Sequence, residues 1–110
     1  MDGEPINLAH IHDKERLRRW RSSHGGGWRE ITVTLGQLGD GRWFTETTET
    51  GLAVNGWAWP DREAAERDIA RLKTGRDDWV DVPAAYNARG EPQGEVGPWR
   101  AVGGGWVLDA

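Results

Sequence analysis

Between residues 14 and 21 the chain reads Lys-Glu-Arg-Leu-Arg-Arg-Trp-Arg, five cations around one indole. Such a cluster captures an anionic partner by charge and anchors it on the aromatic ring. Arg16, Arg18, Arg19, Trp20 and Arg21 are therefore the first candidate partner-binding residues, for an acidic protein surface or for nucleic acid. The plain structural alternative is a solvated helix that turns Leu17 and Trp20 inward and its arginines outward.

Phe44, Trp57 and Trp59 are the second candidate. On one uncovered face they would stack a base, a sugar ring or a partner's side chain, at about 1–3 kcal/mol per stacked base. The alternative is that a terminal hairpin carrying Trp99 and Trp106, or the basic helix, packs over them, since so large an apolar surface is seldom left open on a monomer.

The remaining chemistry-bearing groups are weaker signals. His10 and His12, as His-x-His on a strand, would direct two imidazoles at one metal, with His24 as a further donor; a site also needs a third ligand and supporting partners. No ligand spacing recurs elsewhere, so neither a metal nor another cofactor is expected. Asp77, Asp78, Asp81, Glu46 and Glu49 supply carboxylates, but paired acids matter for catalysis only when their surroundings drive their pKa values apart. Ser22-Ser23-His24 places a hydroxyl beside an imidazole, and sequence neighbours rarely share the geometry a nucleophile needs. The Gly-Gly-Gly runs at 25–27 and 103–105 open no helix after a strand, so they read as turns rather than phosphate cradles. No motif with a mechanism attached is present, and the reading leans against an enzyme.

The elements that must position these residues centre on 42 to 75. Thr45, Thr47, Thr48 and Thr50 beside Trp43 and Phe44 favour a pleated strand. Thr50-Gly51 supplies a turn, and Leu52 to Trp59 returns as the partner. With a two-residue loop Glu49 pairs with Leu52, Phe44 with Trp57 and Trp43 with Ala58. One face then carries Trp43, Leu52, Val54 and Ala58, the other Phe44, Trp57 and Trp59. Pro60 ends the strand, and Asp61 caps a helix from Arg62. Ala65, Ile69 and Leu72 form its apolar stripe, while Arg62 with Glu66 and Glu63 with Arg67 pair along its outer side. Gly75, after Lys73, closes it.

Upstream, Pro5 to His12 fits either a strand or a helix, and a short basic helix is expected from about 14 to 23, stopped by Gly25-Gly26-Gly27. Trp28 to Leu35 alternates, with Ile31, Val33 and Leu35 inward. It runs through Gly39-Asp40-Gly41 into the hairpin, so that three strands form an antiparallel meander. Downstream, Trp79 to Val82 reads as a strand stopped by Pro83, and residues 84–98 as a Gly/Pro-containing loop. A last hairpin, with Trp99, Ala101, Trp106 and Leu108 on one face, turns at Gly103-Gly104.

A length of 110 residues fits one domain, with residues 1–12 as a flexible N-terminus. Hydrophobic content is only 36%, so the eight tryptophans must supply much of the core. Formal net charge is −4; residues 1–42 carry seven basic and six acidic groups, residues 43–110 seven and twelve. The C-terminal part is therefore ill suited to wrapping a nucleic-acid backbone. Cysteine is absent, which excludes disulfides, thiol catalysis and cysteine zinc sites. No apolar run reaches the length of a membrane span, and Met-Asp-Gly-Glu-Pro lacks a signal peptide's regions, so a cytoplasmic location without membrane contact is expected.

Gly41-Arg42-Trp43, a hairpin glycine and an aromatic residue ahead of Arg62-Glu63-Ala64-Ala65-Glu66 resemble the sheet-plus-helix pattern of arm-type DNA-binding domains in recombinases and of WGR domains, over about a third of the chain. The Trp-Gly-Arg triplet is absent, and no functional residue carries across. The expected fold is α+β: a small antiparallel sheet, made of the meander and the C-terminal strands, with one packed helix and a short basic N-terminal helix. The expected function is a non-catalytic binding module, a protein-interaction regulator or accessory subunit using tryptophans and arginines. A nucleic-acid-binding accessory protein using residues 14–21 is the alternative, and a small metal-dependent enzyme using His10 and His12 the third.

Overall fold

The computed structural model of the chain describes residues 3–23, 30–50 and 52–109, with side chains from residue 55 onward in the strand that follows the hairpin turn. In order these form β1 (Glu4–Pro5), a 3-10 turn (Leu8–His10), β2 (Lys14–Ser22), β3 (Ile31–Leu38), β4 (Trp43–Glu49), β5 (Leu52–Trp59), α1 (Arg62–Leu72) and β6 (Val80–Val82). Two separate ribbons follow: β7 (Ala85–Tyr86) with β8 (Pro92–Gln93), and β9 (Trp99–Val102) with β10 (Gly105–Leu108). The main sheet runs β1-β5-β4-β3-β2-β6, with every neighbour antiparallel. The fold is thus α+β, an antiparallel sheet with one helix laid across β3, β4 and β5.

Residues 14–22 correct one expectation, because they form β2 and not a helix. The only helical turn upstream of α1 among the described residues is Leu8–His10. Arginine and lysine are good helix formers, but propensity is a weak prior. Here β2 gains a ladder on both sides, with β3 and with β6, and tertiary pairing overrides the local preference. The proposed stop at Gly25-Gly26-Gly27, the strand start at Trp28, and His24 lie outside the described residues.

The hairpin between β4 and β5 corrects a second. It turns as expected, with Glu49 opposite Leu52 and Thr50 in the left-handed region at φ 53; Gly51 and the side chains of Leu52 and Val54 lie outside the described set. Then Thr48 pairs with Ala53 but Thr47 with Asn55, which makes Val54 an extra residue on β5. Such a bulge advances the register by one and exchanges the faces beyond it. Trp43 consequently lies opposite Trp59, Thr45 opposite Trp57 and Phe44 opposite Ala58. Trp57 and Trp59 point to the α1 side with Trp43, and Phe44 points the other way.

Each face therefore has its own cover. On one, Trp20, Val33, Leu35 and Trp59 pack against Ala64, Ala65 and Ile69 of α1, with Trp43, Trp57, Leu72 and Trp79 at the margin. On the other, Phe44, Leu38 and Ala58 pack against Leu8, with Ile6 and Ile11 beside them. Gly36 makes the second core possible: a Cβ there would stand 2.2 Å from the Phe44 ring and 2.4 Å from the Glu15 carbonyl oxygen.

Helix α1 follows from its sequence. Asp61 accepts the Ala64 amide at 2.8 Å, the Arg62–Glu66 and Arg67–Glu63 pairs form at 3.2 and 2.7 Å, and Gly75 takes φ 93 just beyond. The C-terminal hairpin also has the expected register, Trp99 opposite Leu108 and Ala101 opposite Trp106, turning through Gly103 and Gly104 at φ 53 and 84. It stands as its own ribbon rather than extending the main sheet. The cover over Trp57 and Trp59 comes from α1 instead.

Candidate functional site

A bulge in β2 decides where the basic residues go. Arg16 pairs with Gly36 and Arg18 with Leu35, so Leu17 is an extra residue and the two arginines face opposite ways. Arg18 and Trp20 join the α1 side, while Arg16, Arg19 and Arg21 share the reverse face. There Arg16 grips the buried Glu46 through Nε and Nη2 at 3.2 and 3.3 Å, Arg19 Nε donates to Thr34 Oγ1 at 2.9 Å, and Arg21 lies 4.0 Å from Glu30. The single basic patch pictured for 14–21 is split in two.

The aromatic platform does not assemble either. Phe44 is fully buried and Trp59 is 6% exposed. Trp57 is half-buried, with the Arg71 guanidinium 5.8 Å above its ring. His10 and His12 are exposed, and no cluster of three metal-capable side chains forms among the described residues.

What the fold does assemble is a cleft of about 390 Å³ between α1 and the β2 edge of the sheet. Four cations line it, Arg18, Arg62, Lys73 and Arg76, together with Trp20 and Trp79. Ile69 and Leu35 give it an apolar floor, and among the described residues Glu66 is the acidic side chain that lines it. Lys73 Nζ sits 4.6 Å and the Arg18 guanidinium 4.7 Å from the Trp20 ring centroid, so two like charges share one indole. Cation–π attraction holds each there at about 0.5–2 kcal/mol.

The cations differ in how far they are neutralised. Arg18 Nε meets Asp81 at 3.1 Å, and Arg76 donates to Ser22 Oγ at 3.1 Å, a hydroxyl that itself donates to Asp78 at 2.6 Å. Lys73 makes no ion pair among the described residues. Burial lowers the pKa of its ammonium below the ordinary lysine range; Asp81 opposes that and Arg18 adds to it. Trp79 fixes the wall on which Lys73 sits, since its indole N–H donates to the Lys73 carbonyl at 2.9 Å and so satisfies a helix-end acceptor.

At the far end Arg62 stacks 5.1 Å from the Trp43 ring and takes both carboxylate oxygens of Glu95 from the 84–98 segment. The Arg62 hydrogen bonds hold the Glu95 carboxyl below the usual range, against the opposing effect of burial. A depressed carboxyl pKa stabilises the fold above the unfolded value and loses that contribution as pH falls through the folded one. Glu95→Gln is therefore expected to be less stable than the parent at pH 7, the gap closing as pH drops below about 4.3. Paired urea melts across that range check it; a gap independent of pH would show that the tether is not electrostatic.

Sequence reasoning found Arg18 and Trp20 but missed Arg62, Lys73, Arg76 and Trp79 as site residues. Their charge and aromatic types were visible; nothing local says that a helix crossing the sheet brings residues 62–79 against β2. No protein-family model, curated protein or solved structure matches the chain.

Proposed function

We propose that the protein is a non-catalytic binding module whose cleft docks an acidic segment of another protein. The observation that carries this reading is the pair of cations on Trp20, Arg18 and Lys73, of which Lys73 makes no ion pair among the described residues. Two like charges held over one ring repel each other, and an incoming carboxylate would relieve that repulsion. Glu95 on Arg62 is an internal example of the same contact, an acid from the bend after β8 taken at the cleft's rim. The apolar floor would receive a neighbouring leucine or aromatic side chain. A protein segment ranks above a nucleic-acid backbone because the β2 bulge leaves no single track carrying all of Arg16, Arg18, Arg19 and Arg21.

The test is a titration with fluorescent peptides carrying Asp or Glu beside Leu or Phe, alongside basic and neutral peptides and single-stranded DNA. Acidic peptides are expected to bind, more weakly as salt is added, and Lys73→Glu should reduce affinity by at least about tenfold. Affinity should also fall as the solution is made alkaline, beginning at a lower pH than an ordinary lysine would dictate, because losing the Lys73 proton removes one of the two charges on Trp20. Equal binding of acidic and neutral peptides, or an unaffected Lys73→Glu, would sink the proposal. Preference for DNA with a steep salt slope would hand the site to nucleic acid.

A further inference from the structure

The reverse face of the sheet carries a second depression, of about 280 Å³, where β2 and β3 meet the C-terminal part of the chain. Arg19 and Arg21 enter it from β2, Thr32 from β3, and Tyr86 and Trp106 from the two small ribbons. Arg19 differs from its neighbours. Its Nε is fixed on the Oγ1 of Thr34, which is fully buried, and it forms no ion pair among the described residues. Arg16, beside it, is already committed to Glu46. The anchored Nε leaves the two terminal amino groups of Arg19 as the donors still available, and guanidinium presents such donors in a fork that matches a carboxylate or a phosphate. Burial disfavours its charge, as does Arg16, with Glu46 and Tyr86 acting the other way. Glu30, on the rim, lies 4.0 Å from Arg21 in a loose, half-exposed pair that an entering anion can displace. Tyr86 is 52% exposed, and Trp106 is partly so.

We propose that this depression binds a small ligand consisting of an oxyanion on a planar ring, the anion on the Arg19 and Arg21 forks and the ring against Trp106 and Tyr86. Two sources share that chemistry, nucleoside monophosphates and aromatic carboxylates, and it is independent of the peptide cleft on the opposite face. The experiment is a titration of the full chain with adenosine monophosphate and, separately, with benzoate, following the arginine Nε and tryptophan Nε1 resonances by NMR. Inorganic phosphate and adenosine are the half-ligand controls.

One of the two probes is expected to move Arg19 and Trp106 with saturation at millimolar concentration or below, and the one that does identifies the source. For adenosine monophosphate, phosphate or adenosine alone should bind at least about tenfold more weakly. Arg19→Gln should weaken binding by at least about tenfold, and Trp106→Ala by a similar factor. Arg67→Gln, on the solvent side of α1, should leave it unchanged. Should Arg19→Gln fail to fold, Arg21→Gln and Trp106→Ala carry the test. Absence of saturable shifts with both probes, shifts confined to Arg18 and Trp20, or unchanged affinity in the Arg19 and Trp106 variants would overturn the assignment.

Discussion

Replacing Phe44 with alanine is expected to cost about 3–5 kcal/mol, the range for truncating a buried aromatic, and to bring a domain of ordinary stability close to unfolding. The ring is fully buried between Leu8, Leu38 and Ala58. It also fills the space over Gly36 where a side chain would otherwise stand. Truncation therefore removes apolar contact and leaves a void that the backbone at Gly36 cannot close. The N-terminal segment depends on the same ring, because Ile6, Leu8 and Ile11 have their apolar cover there. Chemical denaturation of Phe44→Ala, with Phe44→Leu as the milder comparison, measures it. A loss below about 1 kcal/mol would be that of an exposed position and would overturn the placement of Phe44 in the second core.

Asp68→Ala carries the second-largest expected effect, roughly 3 kcal/mol, since a buried carboxylate is lost and a buried donor is orphaned. Its side chain is wholly inaccessible, and its two oxygens join the helix to the sheet. Oδ2 accepts the Thr45 hydroxyl at 2.7 Å and Oδ1 accepts Arg71 Nε at 2.9 Å, while Thr45 Oγ1 in turn accepts the Trp59 indole N–H at 2.9 Å. Among the described residues no buried side-chain polar atom lacks a partner, so the relay is complete as it stands. Without Asp68 the Thr45 hydroxyl loses its acceptor inside the core, whereas Arg71, with 55% of its side chain exposed, can turn to water. The penalty thus comes from the buried end of the chain of bonds. Because Thr45 and Asp68 act together, Thr45→Val combined with Asp68→Ala should cost less than the two separately, by at least about 0.5 kcal/mol. Strict additivity in that cycle would refute the relay. Asp68→Ala should also loosen the cleft between α1 and β2, since α1 and its C-cap supply Arg62 and Lys73 to it.

Local chemistry determined those features that close within a few residues. The Asp61 cap, the Ala65, Ile69 and Leu72 stripe, the Gly75 stop and the Gly103-Gly104 turn each depend on neighbours in the chain, and the α+β class follows from their sum. What escaped was whatever required knowing a partner strand. β2 is a strand because β3 and β6 flank it, against the helix preference of its own arginines.

The two bulges, at Leu17 and Val54, have no signature in composition, yet each moves by one residue a pattern whose period is two. That single step sends Arg18 to one side and Arg16 to the other, and it separates Phe44 from Trp57 and Trp59. Sequence by itself therefore determined which residue types were available for binding: arginines, a few tryptophans, no thiol and no catalytic motif. Only the tertiary structure decided which of them meet, because side-chain direction in a sheet is set by register, and register is a property of paired strands rather than of either one.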